Sequence, residues 1–261
     1  MDLAIQTEGL KRSFGDFTAV DGLDLEVPAG TFFGFLGPNG AGKSTTIKML
    51  TGLLRITSGS ALVLGRNIEQ QPVEVKRRIG VVPEELALFD RLTGPEYLSF
   101  VGRMHGLAGA KIRDRSDELL ELMGLAEDGK KLIVDFSHGM KKKLSFCASL
   151  IHEPEMLFLD EPFEGIDAIS SRQIKSILNQ LVASGVTIFL TSHILEIVER
   201  LCSHIAVIHR GRLVAQGTLD ELKESGGAAG DVDGDSRTLE ELFLSLVGDG
   251  GETTRGLSWL D

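Results

Sequence analysis

The chain has 261 residues, 42% hydrophobic and 25% charged, the composition of an ordinary soluble globular protein of one or two domains with room for a sizeable core. Its net charge of −11 is concentrated at one end: eleven acids and three bases fall in residues 220–261, which leaves −3 on residues 1–219 and no basic footprint for nucleic acid. No apolar run approaches the ~18–20 residues of a membrane helix and the first residues carry no signal-like pattern, so any membrane function would need a partner chain.

Residues 3–30 alternate in the manner of strands, with residues 4–7 and 23–27 on either side of a loop holding Gly15 and Asp16. The apolar run Phe32–Leu36 reads as a buried strand. It leads into Gly37, Pro38, Asn39, Gly40, Ala41, Gly42, Lys43, Ser44 and Thr45, and a helical pattern at 46–50 follows. This is G-x-x-x-x-G-K-[ST] in the strand–loop–helix context that a P-loop requires. The glycines let backbone N–H groups curl around a triphosphate, and the helix N-terminus adds positive potential. Lys43 is expected to reach the β- and γ-phosphates, and the Ser44 hydroxyl to hold Mg²⁺.

Residues 60–65 and Ile79–Val82 read as further strands. Residues 86–135 show helical spacing punctuated by glycines and no strand signal, an inserted helical lobe. Ser137 and Gly139 precede a helical pattern at 140–150; a serine cap and small residues at a positive helix end make an anion site. Lys141, Lys142 and Lys143 read as a solvated helix face, because three adjacent positions cannot all face one ligand.

Residues 156–162 form a second apolar strand ending in two carboxylates. Asp160 is placed to hold Mg²⁺ through water, and Glu161 to accept a proton from attacking water. A helix at 171–182 and a buried strand at 187–192 complete a parallel βαβ pattern that ends at His193. Residues 205–217 suit a hairpin turning near Gly211. Residues 224–237 are expected to be a flexible linker, 238–247 an amphipathic helix with Thr238 and Glu241 as a capping box, and 248–261 a disordered tail. Trp259 in that tail reads as incidental. Cys147 and Cys202 lie in apolar-periodic segments and suggest buried, reduced thiols.

The P-loop, the segment from Phe136 to Met140, the strand ending at Asp160 and Glu161, the run Glu164-Gly165-Ile166-Asp167 and the strand ending at His193 come in one order. In that order the chain closely resembles the ATP-binding subunit of ABC transporters, over residues 3–219 and the helix at 238–247. Val82-Pro83-Glu84 and Gly139-Met140 most resemble bacterial exporters whose membrane subunit is a separate chain.

The resemblance implies an α/β fold: a P-loop NTPase core with a mixed sheet, an antiparallel β subdomain and an inserted helical subdomain at about 86–150, the whole ATPase domain spanning 1–223. It implies an ATPase with ATP and Mg²⁺ as cofactors, and Phe14 stacking on adenine with Phe17 as a rival. Glu161 and His193 become the catalytic pair. Ser44, Glu84 and Asp160 become metal contacts, although Glu84 replaces the usual glutamine and could instead only link the core to the lobe. Ser137 and Gly139 would meet the ATP of a second subunit, with Asp167 bracing the interface; His138 and Met140 depart from the family's Leu-Ser-Gly-Gly-Gln. The partners implied are a second copy or a closely related chain and an integral membrane permease, at the cytoplasmic face of the membrane. The alternative is a soluble ABC-type ATPase acting on ribosomes or DNA. Such proteins usually pair two ATPase units or carry a long coiled coil, and this chain has one P-loop and no sustained heptads.

Overall fold

The computed structural model describes residues 2–225 and 238–248. The chain opens with β1 (Leu3–Phe14), β2 (Phe17–Leu23), β3 (Glu26–Pro28) and β4 (Phe32–Leu36), then α1 (Lys43–Leu50), β5 (Ser58–Val63), β6 (Arg66–Asn67), α2 (Pro72–Lys76) and β7 (Ile79–Val82). The lobe follows as α3 (Gly94–Met104) and α4 (Gly109–Leu122), and α5 (His138–Leu150) returns from it to the core. The rest runs β8 (Met156–Asp160), α6 (Ala168–Ala183), β9 (Thr187–Thr191), α7 (Leu195–Leu201), β10 (His204–His209), β11 (Arg212–Thr218), α8 (Leu219–Ser225) and α9 (Leu239–Val247).

Two sheets result. In the first, β2, β1, β5 and β6 lie in that order with β3 also on β1, all antiparallel. In the second the order is β11-β10-β4-β9-β8-β7; its strands are parallel except for β11, which pairs antiparallel with β10. The three central strands β4, β9 and β8 are buried at every position, as expected where both faces are covered.

Their alternation sorts side chains between two cores. Phe33, Phe35, Phe158 and Phe189 face the antiparallel sheet and α1, with Phe189 5.3 to 5.7 Å from the other three ring centroids. Phe32, Leu36, Leu157, Leu159, Ile188 and Leu190 face the helices. On that side Gly34 lets α7 approach: a Cβ there would lie 2.8 Å from Val198 Cγ1.

Three local expectations change. Residues 23–27 are not one strand, since β2 ends at Leu23 and β3 begins at Glu26. The short strand β6 had no sequence signal; it exists because Leu64 (φ 50°) and Gly65 (φ 71°) turn β5 back on itself. Glu224 and Ser225, placed in the linker, instead close α8. The rest of that linker, the tail from 249 and Trp259 lie outside the described residues.

The helix α9 carries the capping box, with Thr238 accepting from the Glu241 amide and Glu241 accepting from the Thr238 amide. It buries Leu239 and Leu242 in the same core as Val198 of α7. Both cysteines are free and buried, and burial pushes both thiols up, Cys147 to about 12. Among the described residues no helix is long and apolar enough to cross a membrane.

Candidate functional site

The site gathers at the carboxyl ends of β4, β9 and β8, which are neighbours in the sheet, the place where open α/β sheets hold ligands. The loop from Gly37 to Gly42 leaves β4 and becomes α1. Two of its glycines are dictated by space. A Cβ at Gly37 would meet the Ile208 carbonyl oxygen at 2.3 Å, and Gly42, at φ 110°, would meet that of Ala19 at 2.7 Å. Gly42 is also the N-cap of α1 and offers no side chain, so no side chain takes up the first-turn amides.

The loop lines a cavity of about 350 Å³ with Asn39, Gly40, Gly42, Lys43, Ser44 and Thr45, and Glu84, Asp160 and Glu161 close its other side. That volume is within the usual range for small-molecule sites. The Lys43 ammonium is buried and donates to the Gly37 and Pro38 carbonyls at 2.6 and 3.3 Å. Burial pulls its pKa down, and the charges of Glu161, Asp160 and Glu84 oppose that. Ser44 Oγ donates to Glu84 Oε2 at 3.3 Å, which joins the P-loop to the segment after β7.

Asp160 and Glu161 are 4% and 8% exposed. Asp160 Oδ1 accepts from Thr191 Oγ1 at 2.5 Å, across the β8–β9 register in which these two residues are partners. Glu161 Oε2 lies 3.0 Å from His193 Nδ1. Burial raises the Glu161 pKa, opposed first by the hydrogen bond with His193. A carboxylate made more basic and held by an imidazole is suited to taking a proton from water. Among the described residues no three His, Cys, Asp or Glu side chains form a metal cage. The oxygens of Ser44, Glu84 and Asp160 nonetheless suit a hard cation that arrives with a phosphate, since Mg²⁺ typically takes one or two carboxylates and completes its shell with phosphate and water.

Other expected residues lie elsewhere. Ser137 is the N-cap of α5, accepting from the Met140 amide at 3.2 Å. Gly139 sits against the Gly165 carbonyl, which a Cβ would meet at 3.0 Å. Asp167 caps α6 by accepting from the Ser170 amide at 2.9 Å, and that bond holds its carboxyl below the usual carboxylate range. None of these three lines the P-loop cavity. Nor does Phe14: its half-exposed ring lies under the Arg12 guanidinium, 4.4 Å from its centroid, while Phe17 is the ring that reaches the cavity.

One reading is overturned. Lys142 is not on a solvated face but 1% exposed, and its ammonium donates to the Glu161 carbonyl at 2.5 Å. Adjacent helical positions point about 100° apart, so a triple lysine cannot share one environment; Phe146, four positions on from Lys142 and buried on the same helix, was the available sign that this face turns inward. Thr191 was missed because its role depends on the β8–β9 register, which a βαβ pattern alone does not give.

A family model described as "ABC transporter" matches residues 20–164. The daunorubicin/doxorubicin resistance ATP-binding protein DrrA of Streptomyces peucetius is 44% identical over 86% of this chain and 68% of its own length. The linearmycin resistance ATP-binding protein LnrL of Bacillus subtilis is 43% identical over 93% of this chain and 78% of its own. Among solved structures, an ATP-binding subunit of an ABC transporter superposes with a TM-score of 0.86 at 30% identity, covering 93% of this chain and 99% of that one. A dimeric, post-hydrolysis ATP-binding cassette bound to ADP and Pi shares the fold, with a TM-score of 0.76 at 21% identity over 82% of this chain and 98% of that one.

Proposed function

The chain belongs to the ABC transporter family as an ATP-binding subunit that binds and hydrolyses ATP, and from that premise we propose how its residues divide the work. The carrying observation is that Glu161, which faces the P-loop across one cavity, is paired with His193. The amides of residues 40–45 and Lys43 bind the triphosphate. Phe17, the ring that reaches the cavity, stacks on adenine in place of Phe14. Glu161 takes a proton from the water that attacks the γ-phosphorus, while the bond to the bridging oxygen breaks and leaves ADP. His193 holds the Glu161 carboxylate in line and contacts the γ-phosphate. Mg²⁺ would be held by Ser44 and Glu84, and by Asp160 through water, and it spreads the negative charge of the phosphates.

Ser137 and Gly139 are the second half of the neighbouring subunit's site, and Asp167 braces that contact as well as capping α6. Their position off the P-loop cavity supports a two-fold arrangement of identical or closely related chains, with each ATP held between two of them. The membrane permease docks where the lobe meets the core. A groove of about 330 Å³ runs there between Leu53, Pro83, Ala87 and Tyr97, with Phe89, Phe100 and Met104 exposed on the same lobe. The Glu84 segment that borders this groove also touches Ser44, so the two sites share one connection. Export is the direction that the resistance proteins named above support, from the cytoplasmic face of the membrane.

The test is purification of the tagged chain from membranes. Recovery of an integral membrane protein whose presence changes the ATPase rate is expected. Recovery of ribosomes in its place would overturn the docking assignment.

A further inference from the structure

Thirteen residues of α5 touch two different things. At its start Ser137 caps the helix at the corner assigned to the second subunit's ATP, where Gly139 abuts Gly165. Just over one turn later Lys142 enters the interior and reaches the backbone of Glu161. An ammonium taken out of water is costly unless it is well partnered. Burial lowers the pKa of Lys142, and the charges of Glu164, Glu161, Glu84 and Asp160 oppose that loss. Its hydrogen bond nevertheless goes to a peptide carbonyl and not to any of these carboxylates.

That carbonyl belongs to a residue in an unusual conformation. Glu161 has φ 48°, the left-handed region that side chains other than glycine's rarely occupy. Such a conformation persists only where the surroundings hold it. Its amide donates to Thr191 at 3.3 Å, through both the carbonyl and the hydroxyl, and its carboxylate meets His193. Lys142 holds the remaining group, the carbonyl, at 2.5 Å, with the Glu164 amide as a longer second donor at 3.4 Å.

We propose that Lys142 is a positioning residue for hydrolysis: it fixes the peptide that follows Glu161, and thereby aims the Glu161 carboxylate at the attacking water. Because Lys142 and Ser137 share one rigid helix, it also ties the corner that meets a second subunit to the base of the chain's own site. The proposal rests on the reading of Glu161 as general base.

The test compares the full chain with Lys142→Met, Lys142→Gln and Glu161→Gln, reading kcat, KM for ATP and melting temperature. Methionine keeps the unbranched apolar stem and removes the donor. It should lower kcat tenfold or more while KM stays within about twofold, the signature of an interaction that serves the transition state. Glutamine keeps a shorter, neutral donor, and its kcat should fall between methionine and wild type. A wild-type kcat in Lys142→Met overturns the proposal, as does a loss in which KM and melting temperature collapse with kcat. Should Lys142→Met not fold, Lys142→Gln decides alone: reduced kcat at unchanged KM supports the proposal and wild-type kcat overturns it. Wild-type turnover in Glu161→Gln would overturn the base assignment itself, whereas its loss there beside full activity in Lys142→Met overturns only the role of Lys142.

Discussion

The helices α1 and α5 both begin with a loop suited to an anion, and they begin differently. At α1 the N-cap is Gly42, no side chain caps the helix, and its first residue, Lys43, is buried beside three carboxylate-bearing residues of the same chain. At α5 the N-cap is Ser137, which already satisfies the Met140 amide, and neither Ser137 nor Gly139 lines the P-loop cavity. The first corner is a finished site within one chain, walled on both sides. The second is a surface that needs something brought to it. On the proposed division of roles, a subunit built this way would bind ATP alone and meet another subunit to enclose it.

The contrast can be broken from either side. Glu161→Gln, which leaves the walls of the first corner in place, should keep ATP binding and lose roughly 10²–10⁴-fold in turnover, the usual worth of a general base. Equal steady-state ATPase rates for this variant and wild type would dissolve the idea of a finished site. Lys43→Ala removes the point charge at the phosphates and should weaken ATP binding by on the order of 10²-fold, from the strength of hydrogen bonds to charged groups; a titration with a fluorescent ATP analogue reads it.

The second corner should respond differently. In the Glu161→Gln background ATP should drive dimerisation, seen by light scattering, and adding Ser137→Arg should abolish it while leaving ATP affinity at the first corner within a few fold. A monomer at all times, even with the permease present, would remove the reason for the contrast. Neither corner includes α9, yet α9 packs on α7, which starts two residues after His193. Ending the chain before Thr238 exposes the site of Leu239 and Leu242 and should lower the melting temperature by roughly 5–15 °C, at about 1.5–3 kcal/mol per side chain. Ending it after Val247 should leave ATPase activity near wild type. The smallest effect is expected for Ser137→Ala, which loses a helix cap worth about 1 kcal/mol and no volume, measured by chemical denaturation.

The finished corner was the legible one. The P-loop glycines, Lys43 and Ser44 and the Asp160-Glu161 pair are set by local chemistry: a tight turn, a helix start and a strand end, each visible within ten residues. Glu161 and His193 are 32 positions apart, and family resemblance, not local pattern, suggested their pairing. What stayed hidden depends on adjacency across the sheet or on the direction a helix face takes. Thr191 beside Asp160 needs the β8–β9 register. Lys142 beneath Glu161 needs the rotation of α5, and a run of like charges concealed it. Phe14 and Phe17 face each other across one hairpin, so sequence could nominate both and not say which ring would border the P-loop.

The thiols described earlier have a practical side. Thiolate is the form that reacts, and both of the chain's cysteines are buried with their thiols pushed up by that burial, Cys147 to about 12, so neither is poised to react while the protein is folded. The native molecule is therefore a ready-made blank for labelling. A cysteine placed at Ser137 and another at Asn39 would be the reactive pair on that background, and a disulfide formed between chains, on addition of ATP, would record on a non-reducing gel the moment at which one subunit's open corner meets the other's closed one.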